Sequence, residues 1–400
     1  MIKKLLILFL VFILGNSFNV SASNQEEMKG VWISFYELEA KNKDEFEKKI
    51  DKYFKRSKEF GLNTVFVHVH AFSDALYKSK YFPYSKNISS NGKYPGYDPL
   101  QLMVDKAKKY DLKIHAWYNP YRISYKTDDI NDIPKNSIIY KWKKTRNVLK
   151  YDGRYYLNPA KKDVRDVIIK DIVDIVKNYD IDGIHFDDYF YPNLGKNYKK
   201  NFDYKEYKEY LKTNKNINIV QFRRENVNKL VKGVYQAIKK VDKDVEYGIS
   251  PFGRLDFLYS NNNYYADVKT WLKGGYVDYL APQIYWSFNH KTVPYNKMVD
   301  SWANLPKSDS VKLYTGIGTY KANYKDSADN GFKNNIDVFI NMVDYNRFKN
   351  LSGEILFSIG SLFKDYDNIK NLEGYYNYEY DEEYIDFDEE EYLTEDELFN

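Results

Sequence analysis

Short runs rich in β-branched and aromatic residues recur along the chain, separated by stretches with the periodicity of a helix. The first run is 30–34. It is followed by 43–60, where Phe46, Ile50, Tyr53 and Phe54 fall at helical spacing and Gly61 marks the end. Further strands are expected at 64–70, 113–118, 183–186, 245–250, 277–285, 311–316 and 353–358. Further helices are expected at 98–110, 162–178, 223–241, 264–273, 294–304 and 335–348. Asp98-Pro99 is a start signal, because proline lacks the N–H that the first helical turn leaves unpaired. Regular alternation of strand and helix implies a parallel sheet with crossover helices. Eight such units predict an α/β (β/α)8 TIM barrel, with long loops after strands 3 and 4 at 119–158 and 189–220. An open doubly wound sheet is the rival, but no G-x-G-x-x-G loop follows an early strand.

A barrel places its chemistry at the C-terminal ends of its strands. Polar and aromatic clusters stand there: His68 and His70, Trp117 to Arg122, Asp187-Asp188-Tyr189, Arg254 after strand five, and Gln283, Tyr285 and Trp286 on strand six. Adjacent carboxyls among aromatics repel each other and resist ionising, so one of them can stay protonated as a general acid. Asp187 and Asp188 are therefore the catalytic candidates. The substrate-binding candidates are His70, Trp117, Tyr118, Asn119, Arg122, His185, Tyr189, Arg254, Gln283, Tyr285 and Trp286. Alternation along strand four puts His185, Asp187 and Tyr189 on one face; the same rule puts His68 and His70 on one face of strand two. With His115 and Asp187, those two histidines could form a metal site of hydrolase type. The alternative is a set of buried, hydrogen-bonded barrel histidines, and no metal or other cofactor is assigned.

The ends of the chain differ from the body. Lys3 and Lys4, an apolar run at 5–14, and Val20-Ser21-Ala22 have the layout of a secretory signal peptide, so residues 1–22 are expected to be a leader. Ten apolar residues are too few to span a bilayer. No integral membrane segment is expected after cleavage, and the chain is expected to be secreted or associated with the cell wall. Residues 373–400 hold thirteen acidic residues and no Lys or Arg, and read as a tyrosine-rich, solvated tail. The formal charge of +4 thus hides a strongly basic body at 28–372, suited to anionic wall polymers; export argues against nucleic acid. The absence of cysteine excludes disulfides and thiolate chemistry. The 42 tyrosines read mostly as codon bias, with a few expected to stack on sugars at the barrel mouth.

Several motifs occur in order: Lys29-Gly30-Val31-Trp32, Asn63-Thr64-Val65-Phe66, Asp74-Ala75-Leu76-Tyr77, and His115 through Arg122. Asp182 through Pro192, Gly248 through Gly253 and Asp278 through Trp286 complete the series. It resembles glycosyl-hydrolase-like family 10, bacterial exported or lipid-anchored proteins. The resemblance implies a TIM-barrel glycoside hydrolase acting on an amino-sugar glycan, with peptidoglycan strands as the expected substrate. Where the family has Gln-x-Arg on strand two, this chain has His68-x-His70. A second catalytic carboxylate is not obvious: Glu37, Asp74 and Asp256 all lie in loops. That points to a substrate-assisted route using the acetamido oxygen of the sugar. A metal-dependent deacetylase or amidohydrolase, and a non-catalytic glycan-binding barrel, are the alternatives.

Overall fold

The computed structural model describes residues 26–124, 129–324 and 326–378. The expected leader lies outside the described residues, as does the expected tail beyond 378. Among the described residues no helix is long and apolar enough to cross a membrane.

Eight parallel strands close on themselves. They are β1 (Met28–Ile33), β2 (Thr64–His70), β3 (Lys113–Tyr118), β4 (Gly183–Asp187), β5 (Glu246–Ser250), β6 (Tyr279–Leu280 and Gln283–Ile284), β7 (Lys312–Leu313 and Thr315–Ile317) and β8 (Gly353–Phe357). Each strand pairs with the next, through Gly30 with Thr64, His115 with Gly183, Gly248 with Tyr279, and Tyr279 with Lys312. Met28 pairs with Gly353 and closes the ring. The expected single strand at 277–285 is two short pieces. Tyr279–Leu280 pairs with β5 and β7, and Gln283–Ile284 pairs with β7 and is bridged to Phe252 just past β5; between them stands Pro282, which has no N–H for the ladder.

The crossover helices are α1 (Lys43–Glu59), α2 (Pro99–Lys109), α3 (Lys162–Asn178), α4 (Ile219–Val241), α5 (Val268–Gly274), α6 (Tyr295–Ala303), α7 (Val338–Phe348) and α8 (Asp367–Asn377). Local chemistry starts them. Asn42 caps α1, Asp98 caps α2 ahead of Pro99, and Asn218 with Gln221 forms a capping box that starts α4 four residues earlier than expected. The helix expected from 264 begins at Val268, because Tyr264 and Tyr265 take left-handed backbone angles. The final helix α8 was not expected, and the boundary placed at 372 falls inside it. Tyr376 is buried and bonds Glu354, while Glu373 pairs with Arg56.

The apolar residues fall into two layers. One large cluster lies between sheet and helices. A smaller one fills the barrel interior with Trp32, Phe66, Trp117, Tyr279, Tyr314 and Ile355. Two glycines make this interior possible. A Cβ at Gly183 would lie 2.4 Å from His115 Nδ1, and one at Gly248 would lie 2.0 Å from Tyr279 Cζ.

The connection from β3 to α3 carries a hairpin, Val148–Tyr151 and Arg154–Leu157. The connection from β4 to α4 is held by one buried ion pair. Arg223 on α4 donates to Asp203 Oδ1 at 2.7 Å, to the Tyr198 and Asn201 carbonyls, and to the Tyr265 hydroxyl. Asp203 also accepts from the Tyr191 hydroxyl at 2.9 Å. Removing one partner strands the other charge in a dry site. Arg223→Met should cost about 3–5 kcal/mol of stability, read as a lower urea midpoint. An unchanged midpoint would show that the loop is held elsewhere.

Candidate active site

The site is built on the end of β4. Its inward positions are Gly183, His185 and Asp187, rising toward the barrel mouth. Asp187 and Asp188 are both 2% exposed, yet their surroundings differ. Asp187 accepts three N–H bonds: from Trp117 Nε1 at 3.1 Å, Asn119 Nδ2 at 2.6 Å and the Tyr189 backbone at 3.3 Å. The Asn119 amide cannot turn around, because its oxygen is occupied by the N–H groups of Tyr121 and Arg122. Asp188 accepts one N–H, from Phe252 at 2.6 Å.

Burial raises the Asp187 carboxyl to about 6, against the opposing field of Arg122 and the Trp117, Tyr189 and Asn119 donors. Burial also raises Asp188, well above the carboxylate range; Phe252 opposes this and the neighbouring Asp187 charge adds to it. Asp187 therefore ionises at lower pH than Asp188, which holds its proton longer as the pH rises. Environments that push two neighbouring carboxyls apart in this way separate a charged role from an acid role.

Aromatic rings line the rim. The Arg122 guanidinium lies between the rings of Phe72 and Tyr189, 4.8 Å from each centroid. Tyr189 meets Tyr264 edge-on at 5.4 Å. On the other side Tyr285 stacks on Phe357 at 5.6 Å and meets Tyr320 edge-on. Burial raises the Tyr285 phenol, and the fields of Tyr320, Tyr189 and Asp188 add to this. Gln283 donates to the Ser250 carbonyl at 2.8 Å, and Trp286 packs edge-on against Phe252 at 5.8 Å.

Of the expected binding residues, Trp117, Asn119 and Tyr189 donate to Asp187, the Arg122 field acts on it, and Trp286 packs on Phe252, the donor to Asp188. Gln283 and Tyr285 stand at the end of β6. The other four expected residues lie elsewhere. A bulge in β2 shifts its register, so that His68 faces Trp117 and His70 faces Tyr118. His68 stacks on Trp117 inside the barrel at 3.8 Å. His70 stacks on Tyr118 at 3.8 Å on the helix side, where the Tyr118 hydroxyl donates to Asp171 of α3. His70 and Tyr118 are therefore packing residues, and the expected shared face of His68 and His70 does not exist. The histidine metal set is not assembled, and among the described residues no cluster of three His, Asp or Glu could hold a metal. Arg254 turns away to Asp256 at 2.5 Å. His185 is fully buried beneath the site with both ring nitrogens bonded.

The other carboxyl candidates are also occupied. Glu37 accepts from the Ser34 and Gly360 N–H groups and the Ser358 hydroxyl. Asp74 bonds the Phe72 N–H in its own turn. Sequence reasoning missed Tyr264 and Tyr320. Tyr320 follows the end of β7, so the strand-end rule could have found it; Tyr264 could not be found that way. A cavity at the opposite end of the barrel is lined by Glu26, Lys113, His115, Asp182, Glu246 and Lys312. Its charges pair with one another, Lys113 with Glu26 at 2.9 Å and Lys312 with Glu246 at 3.0 Å.

The family Glycosyl hydrolase-like 10 matches residues 27–334. The chain belongs to that family. Glycosyl hydrolase YngK of Bacillus subtilis is 35% identical over 92% of this chain and 76% of its own length. Glycosyl hydrolase DigH of Escherichia coli K12 is 34% identical over 65% of this chain and 63% of its own. Among solved structures, the PgaB (BpsB) glycoside hydrolase domain from Bordetella bronchiseptica superposes with a TM-score of 0.55 at 11% identity, over 87% of this chain and 98% of that one. A family 18 N-acetylglucosaminidase from Paenibacillus barengoltzii superposes at 0.50 and 10% identity, over 87% and 99%. These two share the barrel fold. In this member of the family the Asp187 charge depends on its donors. Trp117→Phe keeps the ring and removes one N–H, so the Asp187 pKa should rise above about 6, by about one unit. A 13C-detected carboxyl titration checks it; an unmoved pKa would remove Trp117 from the site's electrostatics.

Proposed function

We propose that this protein is an exported glycoside hydrolase that cleaves an amino-sugar glycan, with peptidoglycan strands as substrate, by a substrate-assisted route. The observation that carries this reading is the unequal carboxyl pair at the end of β4. The family and its curated glycosyl hydrolases support the reaction class. The leader-like segment at 1–22 supports export, and the basic body supports an anionic wall polymer.

The acetamido oxygen of the substrate attacks the anomeric carbon while the bond to the leaving oxygen breaks. Asp188 gives its proton to that oxygen. The Asp187 carboxylate accepts the acetamide N–H and favours the positive charge that develops on it. Water then attacks the anomeric carbon, Asp188 takes its proton, and the acetamide is released. The net change is hydrolysis of one glycosidic bond. Tyr285 and the rim aromatics offer faces on which sugar rings stack.

Asp187→Asn and Asp188→Asn should each lower turnover about 10²- to 10⁴-fold on purified glycan strands, with products read by mass spectrometry. Strands stripped of their N-acetyl groups should not be cleaved. Wild-type activity should rise as pH increases through about 6, where Asp187 ionises, and fall at higher pH as Asp188 loses its proton. Full activity in both variants would remove the carboxyl pair from the chemistry, and glycan binding without turnover in the wild type would leave a glycan-binding barrel as the better reading. Equal cleavage of acetylated and stripped strands would remove the acetamido route.

A further inference from the structure

A continuous hydrogen-bonded column of polar rings runs down the barrel axis beneath Asp187. His185 Nε2 lies 3.1 Å from Trp32 Nε1 and 3.0 Å from Ser250 Oγ. His185 Nδ1 lies 2.9 Å from the Tyr279 hydroxyl, which lies 3.0 Å from His115 Nδ1. His115 Nε2 faces Glu246 Oε2 at 3.8 Å.

One member of this column has no freedom. The indole N–H of a tryptophan can only donate. His185 Nε2 must therefore carry a lone pair, and the proton of the neutral ring sits on Nδ1. That N–H donates to the Tyr279 hydroxyl, and the phenol in turn donates to His115 Nδ1. The His115 proton is left on Nε2, aimed at Glu246. Protonating His185 would set two N–H groups against each other at 3.1 Å. The ring is also fully buried, and burial and the neighbouring His115 both hold its pKa well below normal.

We infer that Trp32 fixes His185 as a neutral Nδ1–H imidazole and so makes it a positioning residue for the Asp187 carboxylate, resting on the charged role assigned to Asp187 above. The coupling is short. His185 meets the Trp117 ring edge-on at 6.3 Å, and Trp117 donates to Asp187. The one hydroxyl proton of Ser250 is shared between His185 Nε2 and the Phe186 carbonyl, which belongs to the peptide that precedes Asp187. A neutral ring also keeps a cation from beneath Asp187, where it would lower the carboxyl's pKa. The titratable groups around His185 are His68 on β2, His115 on β3, Asp187 on β4 and Tyr279 on β6. Glu246, Lys113 and Lys312 stand beyond His115, and Arg122 stands above at the mouth.

15N NMR of histidine-labelled full-length protein tests this without substrate. His185 should show a protonated Nδ1 and a bare Nε2, His115 the reverse, and His185 should not titrate between pH 5 and 8. In Trp32→Phe the N–H that opposes protonation is gone, so the His185 pKa should rise from its wild-type value. The acid limb of the pH–activity profile should then move down on any glycan that is cleaved, because positive charge beneath Asp187 favours its carboxylate. Ser250→Ala should keep both tautomers. An Nε2–H His185 in the wild type, a lost tautomer in Ser250→Ala, or an unmoved acid limb in a folded Trp32→Phe would each overturn the inference. If Trp32→Phe does not fold, the wild-type tautomers and Ser250→Ala still decide it. Loss of the proposed reaction would appear separately, as expected tautomers in a protein that cleaves no strand.

Discussion

The hydroxyl of Tyr279, shared between two imidazoles on the barrel axis, is the contact around which the rest of the interior is arranged. A buried polar group costs free energy unless it is paired. Here the Nδ1 atoms of both imidazoles are paired only while the Tyr279 hydroxyl stands between them. The constraint reaches outward into the sequence. Gly183 and Gly248 have no side chain because His115 and Tyr279 occupy that space. Trp32 and Phe66 pack against the same rings, at 5.8 and 5.0 Å from His185. An aliphatic barrel core would pack as well, but it would not fix the orientation of a ring beneath the carboxyl pair at the end of β4.

Above this layer the chemistry changes from neutral to charged over one strand turn. Asp187 and Asp188 are neighbours in sequence and equally hidden from water. Their difference comes from donor count, three N–H groups against one. Desolvation alone would keep both protonated. Three directed N–H bonds and the field of Arg122 let one of them ionise near neutral pH. The rim aromatics then exclude water from around a charge that the protein has already stabilised, so little reorganisation is needed when a substrate arrives.

Much of the architecture was legible in the chain. The strand and helix periods are local properties, and so are the caps at Asn42, Asp98 and Asn218. The places where reading failed have particular causes. Pro282 divides a run that looks continuous by apolar content. The capping box at Asn218 starts a helix that periodicity placed later. The helix containing Tyr376 lies next to a strongly acidic stretch, and its one fully buried ring is a weak signal among many exposed tyrosines. On β2 alternation was sound up to His68, and a single bulge then reversed it for His70.

By itself the sequence determined the eight strand–helix units, their parallel order and the position of the carboxyl pair at a strand end. Those follow from side-chain period, turn residues and strand length, all of which act over a few residues. Only the tertiary structure decided which face His70 and Tyr118 occupy, which carboxyl is charged, and which way the hydrogen bonds run along the axis. These depend on contacts such as His115 with Tyr279, 164 residues apart, and Trp32 with His185, 153 apart. A proton's position and a carboxyl's pKa are set by the atoms within a few ångströms, and no local pattern specifies which distant atoms those are.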